Sequence, residues 1–368
     1  MLQSIDVDKC EVDVFPITNS GSNYEVINKY ANVLGINQEK AQQSKGVTVR
    51  VKARLFRLVK QIKKLLCLIG IDISAIVFRR LARSLEKNHY DEVIAFQEGQ
   101  ATLLVSFINI DSKISWVHCD YSTLPLNKKG IERNQAIYKK YSKIICVSDF
   151  TRTKFLSIHP ELSDRTVAIH NVMAVKRIKE LSIESPNCSE FEFYSGIKIV
   201  SIGRIAPVKR FSFIPEIAAN LKKRGLCFCW YIIGGDDSDL NNVDNNIKKY
   251  QVADCVKLLG NKNNPYSFIK SADLLVCTSL SEACPNVLNE AKIIGTPIVS
   301  TNFGSVNEIM TNQIEGIVTP IELIDEAIYN FLSNKTILDK VKENLSYYIY
   351  DNRILFNKIE DNTSLVFK

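Results

Sequence analysis

The sequence predicts two doubly wound α/β domains facing each other across a cleft, and three observations predict it. Short apolar, β-branched runs recur along the chain, and helix-length segments separate most of them. One polar, turn-rich stretch then divides the runs into two series.

The first series holds VIAF at 93–96, ISWVH at 114–118, IICV at 144–147 and TVAIH at 166–170. The second holds KIVSIG at 198–203, CFCWYIIG at 227–234, CVKLLG at 255–260, LLVCTS at 274–279 and PIVST at 297–301. Between them lies KELSIESPNCSEFEFYSG at 179–196. The expected domains are therefore 1–180 and 181–368, the second ending in helices. A chain of 368 residues is long for one core and fits two such domains. Ligands of these sheets bind beyond the carboxyl ends of the strands, so the loops that follow strands take priority.

Composition bounds the function. Hydrophobic residues make up 46% and no run of 18 uncharged apolar residues occurs, so no spanning helix is expected. The start, MLQSIDVDKCEVDVF, lacks the apolar core of a secretory signal. Ten cysteines are scattered singly without metal-ligand spacing, which suits buried thiols in a reducing, cytoplasmic setting. The net charge of +7 is uneven. Between Lys45 and Lys87 twelve Lys and Arg face two acids, a local charge of +10. Within it, 54–69 has helical period: Leu55, Leu58, Val59, Ile62, Leu65, Leu66 and Ile69 share a face opposite Arg57, Lys60 and Lys64. Such a helix can rest on the inner face of a membrane as a peripheral contact, or simply present a solvated basic face. No nucleic acid is expected, because the basic residues alternate with aliphatics rather than aromatics.

Neither half carries a GxGxxG, a P-loop, a G-x-S-x-G elbow or a kinase signature. Asp236, Asp237 and Asp239 in GGDDSD are the one metal candidate, and capping and solvation of the following helix are the preferred reading. No metal and no cofactor are therefore expected.

The informative stretch is SLSEACPNVLNEAKIIGTPIVST from position 279. Pro285 is expected as the first helical residue, with the helix running to Ile294 and Gly295 as its left-handed stop. Amides of Asn286, Val287 and Leu288 would then open toward the cleft, a seat for phosphate oxygens. Glu290 lies one turn beyond Asn286, where a carboxylate can accept both hydroxyls of a ribose. Glu282 precedes the helix, within reach of whatever the phosphate carries. In VSIGRIAPVKRFS, Gly203 and Arg204 follow a strand and Lys209 comes five residues later. These two cations can clamp a diphosphate from the other side and stabilise it as it leaves.

These segments, IGRIAPVKRF, NPYSFIKSADLLVCTS and SEACPNVLNEAKIIGTPIVSTNFGSVNEIM, resemble the donor domain of retaining glycosyltransferases of the GT-B fold, glycosyltransferase family 4. The Glu-x7-Glu spacing of Glu282 and Glu290 is its most specific mark. The resemblance runs from about 196 to 320 and implies that 181–368 binds the nucleotide-sugar donor and 1–180 the acceptor. It implies that Arg204 and Lys209 bind the donor diphosphate, Glu290 the ribose and Glu282 the transferred sugar, without a metal. Ala283 and Cys284 stand where the family has Gly-Phe, and IIGGDDSD where it tends to a G-x-G loop.

The first half is similar to members that build bacterial capsule and O-antigen chains, through AFQEGQATLLVS, KISWVHCDYSTL and KIICVSDFTRTKFL. By itself His118 reads as a core histidine; the resemblance makes it a cleft residue near the reacting centre. Glu98 and Gly99 are candidates for acceptor contact, with His170 and Asn171 weaker ones at the domain junction. Family members begin with a strand and a Gly-rich loop, whereas only MLQSIDVD precedes KCEVDVFPI here. The N-terminal domain is thus expected to lack its first strand.

The resemblance implies a transferase moving a hexosyl or N-acetylhexosaminyl group from a nucleotide sugar, a UDP-sugar, to a glycan or lipid-linked glycan acceptor. The alternative is a non-catalytic nucleotide-sugar-binding or partner subunit derived from such an enzyme. A sugar-nucleotide epimerase on the same fold lacks its pattern of acid and base residues.

Overall fold

The computed structural model describes residues 1–17, 27–34, 73–235 and 238–368. The basic segment 54–69, Asp236 and Asp237 lie outside the described residues.

Strands β1 (Asp13–Val14) and β2 (Asn32–Val33) pair in parallel as a small separate sheet. Tyr90 ties it to the next unit by donating to Asp13 Oδ2 at 2.6 Å. That unit is a parallel sheet ordered β3 (Val93–Ala95), β4 (Lys113–Val117), β5 (Lys143–Cys146) and β6 (Thr166–Ala168). Its strands alternate between two apolar faces. Val117, Ile144 and Cys146 pack with Tyr121, Tyr138 and Phe155 on one side. Ile114, Trp116, Ile145 and Val147 pack on the other. Burial of both faces is what a parallel sheet requires, and it explains the unbroken apolar runs in the sequence.

The second sheet has six parallel strands: β7 (Ile197–Ile202), β8 (Phe228–Ile233), β9 (Val256–Gly260), β10 (Leu274–Cys277), β11 (Ile298–Thr301) and β12 (Gly316–Thr319). Their order is β12-β11-β10-β7-β8-β9, so chain direction across the sheet reverses between β7 and β10. That pair, in register through Leu274 with Ile199 and Leu275 with Val200, is the switch point where such folds bind ligands.

The predicted strands are present, within a residue or two at their ends, and β12 is an addition. The dividing stretch is less irregular than expected. It holds the end of a helix, Val175–Ser182, and a four-residue helix, Ser189–Glu192. Ile178 and Phe191 are buried against the second sheet, and that packing overrides the polar composition. The chain's end, counted with the second domain, crosses back to the first. Leu355, Ile359, Leu365 and Phe367 cover Ile94, Ile114 and Trp116. Phe367 also bridges to Ile5.

Candidate functional site

At the switch point the carboxyl ends of β7 and β8 nearly touch. A Cβ on Gly234 (φ +156°) would lie 1.7 Å from the carbonyl oxygen of Gly203, so glycine alone fits. After Gly203 the chain passes the exposed Arg204 into a 3-10 turn, Pro207–Lys209. Arg210 follows in the left-handed region at φ 53°.

The loop after β10 clasps this turn. Thr278 Oγ1 donates to Lys209 O at 2.7 Å and Leu280 N to Val208 O at 2.8 Å. Between the clasped backbones the Lys209 ammonium meets Glu282 Oε1, which also accepts from Ser279 Oγ at 2.6 Å. Ser305 Oγ holds the Glu282 carbonyl at 2.8 Å. Lys209 and Glu282 are largely buried and border a small cavity with Ile202, Cys277, Ser279 and Val287. Two residues 73 positions apart thus share one pocket.

The helix begins at Asn286, not at Pro285, which is the extended N-cap residue. Its end at Ile294 and the left-handed Gly295 (φ 90°) are as expected. The amides of Asn286 and Val287 have no partner among the described residues. The Leu288 amide, expected to be open, donates to Pro285 O at 3.3 Å because the first turn is tight. Glu290 is half-buried, with no hydrogen bond or ion pair to its carboxylate among the described residues. Burial pushes its pKa up to about 7, against an ordinary 4.5. Asp239 is buried rather than solvated, and its carboxylate accepts from Asn242 Nδ2 at 2.7 Å instead of capping the helix Leu240–Tyr250.

On the opposite wall, His118 follows β4 and its backbone N–H donates to Glu98 at 2.8 Å. Its Nε2 is buried without a partner, and burial lowers its pKa against the opposing pull of Glu98. Gly99 (φ 89°) opens the short helix Gln100–Val105. The half-exposed ring of Phe96 stands beside His118, with centroids 5.2 Å apart.

Two groups of contacts join the walls. Ser281 Oγ donates to Asp120 Oδ2 at 2.7 Å, directly beside Glu282. Glu308 accepts the N–H groups of Asp149 and Phe150 at 2.8 and 2.7 Å, capping the helix Asp149–Ile158 from across the cleft. The same carboxylate meets His170 Nε2 at 3.0 Å. Asn171 Nδ2 donates to Asn286 Oδ1 at 2.8 Å. The Phe150 ring lies against Gly304, where a Cβ would come within 2.0 Å of Cε2.

Residues 191–351 match the family model described as "Glycosyl transferases group 1", a span that takes in β7 to β12 and all of the switch-point residues. The span 191–351 is similar to a group 1 glycosyl transferase domain. Over 213 residues the chain is 26% identical to an uncharacterized glycosyltransferase of Methanocaldococcus jannaschii, covering 55% of this chain and 49% of that protein. It is 29% identical over 132 residues to the amylovoran biosynthesis glycosyltransferase AmsK of Erwinia amylovora, covering 34% and 32%. The matched regions thus span only a third to a half of those relatives. In fold it is similar to Anabaena HepE, solved in complex with UDP and glucose. The TM-score is 0.62 at 16% identity, with 77% of this chain and 81% of that one covered. The architecture is GT-B: two α/β units with parallel sheets and a cleft between them.

Within the matched span, Lys209, Glu282 and Val287 border the switch-point cavity, Gly203 and Arg204 follow β7, and Asn286, Leu288 and Glu290 lie in the helix after the β10 loop. His118, Glu98 and Gly99 lie together on the facing wall, with His170 and Asn171 at the junction. Sequence reasoning missed Ser281, Ser305 and Glu308, whose partners sit in the other domain or the next loop. Phe96 had a visible signal, an aromatic closing the run VIAF immediately before Glu98.

Proposed function

We propose that the chain is a retaining glycosyltransferase. It moves a hexosyl or N-acetylhexosaminyl group from a UDP-sugar to a glycan or lipid-linked glycan acceptor in surface-polysaccharide synthesis. The observation that carries this is the meeting of Lys209 and Glu282 in the switch-point pocket, beside the open amides of Asn286 and Val287. Support for the donor comes from HepE, solved with UDP and glucose, and for the pathway class from the name of AmsK.

The donor diphosphate takes the Lys209 ammonium from Glu282, with Arg204 and the helix amides on its other oxygens. Glu282, released from that pair, accepts hydroxyls of the transferred sugar, and Glu290 accepts those of the ribose. The bond from the anomeric carbon to the phosphate oxygen breaks with its electrons on the diphosphate. The acceptor oxygen bonds to that carbon from the same face, and its proton passes to the departing phosphate. Lys209 and Arg204 act most strongly on the charge that grows on the leaving oxygen. His118, Glu98 and Gly99 line the acceptor side. No metal or cofactor takes part in this scheme.

A lipid-linked acceptor places the enzyme at the cytoplasmic membrane face, with the basic segment 54–69 as the contact. Among the described residues no helix is long and apolar enough to cross a membrane. The test is hydrolysis of a panel of UDP-sugars in the absence of acceptor. Turnover of one of them, lost in Lys209→Ala and Glu282→Ala, is the expected result. Tight UDP binding without turnover of any sugar would identify the non-catalytic alternative, and full activity in both variants would refute the site.

A further inference from the structure

The loop that carries Glu282 is held from its own domain by Val208, Lys209, Ser279 and Ser305, and from the opposite domain as well. Ser281 Oγ donates to Asp120 Oδ2 at 2.7 Å, Thr151 Oγ1 reaches Ala283 O at 3.5 Å, and Asn171 Nδ2 reaches Cys284 O at 3.5 Å. Ala283 is buried among Trp116, Ile145 and Val147 of the first sheet, so the side chains after Glu282 complete a core that is not their own. The segment 280–285 belongs to no helix or strand and has no ladder of its own to hold it.

Asp120 is built for this contact. It is 8% exposed and follows β4 as the N-cap of the turn Tyr121–Thr123. Its Oδ1 accepts Ser122 N at 2.9 Å and Ser122 Oγ at 2.6 Å, which leaves Oδ2 aimed at Ser281. A buried carboxylate with one oxygen locked in its own turn and the other spent across the cleft ties the loop's conformation to domain closure. A hydrogen bond to a carboxylate contributes more than one between neutral groups.

We infer that Asp120 is a positioning residue: while the two domains are closed, its hold on Ser281 steadies the loop that seats Glu282 in the pocket. When the cleft opens, the Asp120, Thr151 and Asn171 contacts are lost together. Among the described residues Glu282 then keeps Lys209, Ser279 and Ser305, all from its own domain. The reach of this inference to turnover rests on the proposed role of Glu282; the seating itself does not.

The test compares Ser281→Ala, Asp120→Ala and Asp120→Asn in the full chain, by amide hydrogen exchange without ligand and by UDP titration and UDP-glucose hydrolysis. Ser281→Ala and Asp120→Ala are expected to speed exchange at 280–286 by about tenfold, as loss of one such hydrogen bond implies. Asp120→Asn, which keeps an acceptor oxygen, is expected to restore most of the protection. Hydrolysis should fall about tenfold in the two alanine variants while UDP affinity changes less than about twofold. Unchanged exchange at 280–286, or exchange that rises evenly through both domains, would overturn the inference. If the unsubstituted chain hydrolyses no UDP-sugar, the exchange data still decide the seating, and it is the proposed function that falls.

Discussion

Lys209 and Glu282 form one ion pair that ties the loop after β7 to the loop after β10, and it does so inside the pocket at the switch point. An ammonium and a carboxylate largely desolvated and mutually satisfied suit the donor site proposed above. In the proposed scheme the incoming diphosphate exchanges one anionic partner of Lys209 for another rather than stripping it of water. Glu282→Gln should therefore leave UDP binding nearly intact while lowering turnover by about 10²-fold or more. Lys209→Ala should weaken both, because the proposed scheme has the cation on the phosphate in the ground state as well as the transition state. Titration with UDP and steady-state hydrolysis separate the two.

Glu290 makes the ligand-free protein sensitive to pH. Burial raises its pKa to about 7, so the folded chain binds this proton more tightly than the unfolded one. Stability from this group is complete below the ordinary carboxylate range and is lost as pH rises toward 7. Glu290→Gln should stabilise the ligand-free protein at pH 8 by about 1–3 kcal/mol while weakening UDP binding, a conflict between stability and function. Chemical denaturation at pH 5 and pH 8, with and without UDP, measures both effects.

His159 has no accessible surface, and neither ring nitrogen has a hydrogen-bond partner among the described residues. Rings of Tyr121, Tyr138 and Phe155 surround it at 5.1 to 6.1 Å. Burial lowers its pKa from 6.5, with Glu161 opposing. Stability from the neutral ring is present above that value and is lost as pH falls below it. His159→Phe replaces two unsatisfied polar atoms by an apolar ring, so it should be neutral or stabilising by about 0–2 kcal/mol, with the larger gain at pH 5. Thermal melts across pH 5 to 8 check this.

The fold was legible because the inner strands β4, β5, β8, β10 and β11 are buried on both faces and so read as apolar runs. β12 was not, because Gly316–Thr319 is short and opens on a glycine. The switch-point residues were legible for a different reason: they sit in two contiguous segments whose spacing is set by a strand end, a tight turn and a helix start. The contacts that couple the domains were not. Asp120 and Ser281 are 161 positions apart, and Glu308 and Asp149 are 159, so no local period reports them. Pro285 was misplaced by one residue, since proline suits either the N-cap or the first turn. Asp239 read as solvated because a polar helix follows it, yet its backbone N–H is drawn inward to Ile205 O at 3.0 Å.

Gly304 sits where the first domain's Phe150 docks. Gly304→Ala should cost about 1–3 kcal/mol by overpacking, since the incoming methyl meets a ring rather than space. Phe150→Leu combined with Gly304→Ala should recover part of that loss, and Glu308→Ala should cost a similar amount by uncapping the Asp149–Ile158 helix. Melting temperatures of the single and double variants give the coupling.

The central claim is a nucleotide-sugar site at the switch point, and the most direct measurement is thermal unfolding with UDP, GDP, ADP and a panel of UDP-sugars, for the unsubstituted chain and for Lys209→Ala. A ligand that binds only the folded chain raises its melting temperature. A rise with UDP and one UDP-sugar, absent in Lys209→Ala, is the predicted result. No rise with any nucleotide, or an equal rise in the variant, would contradict the claim.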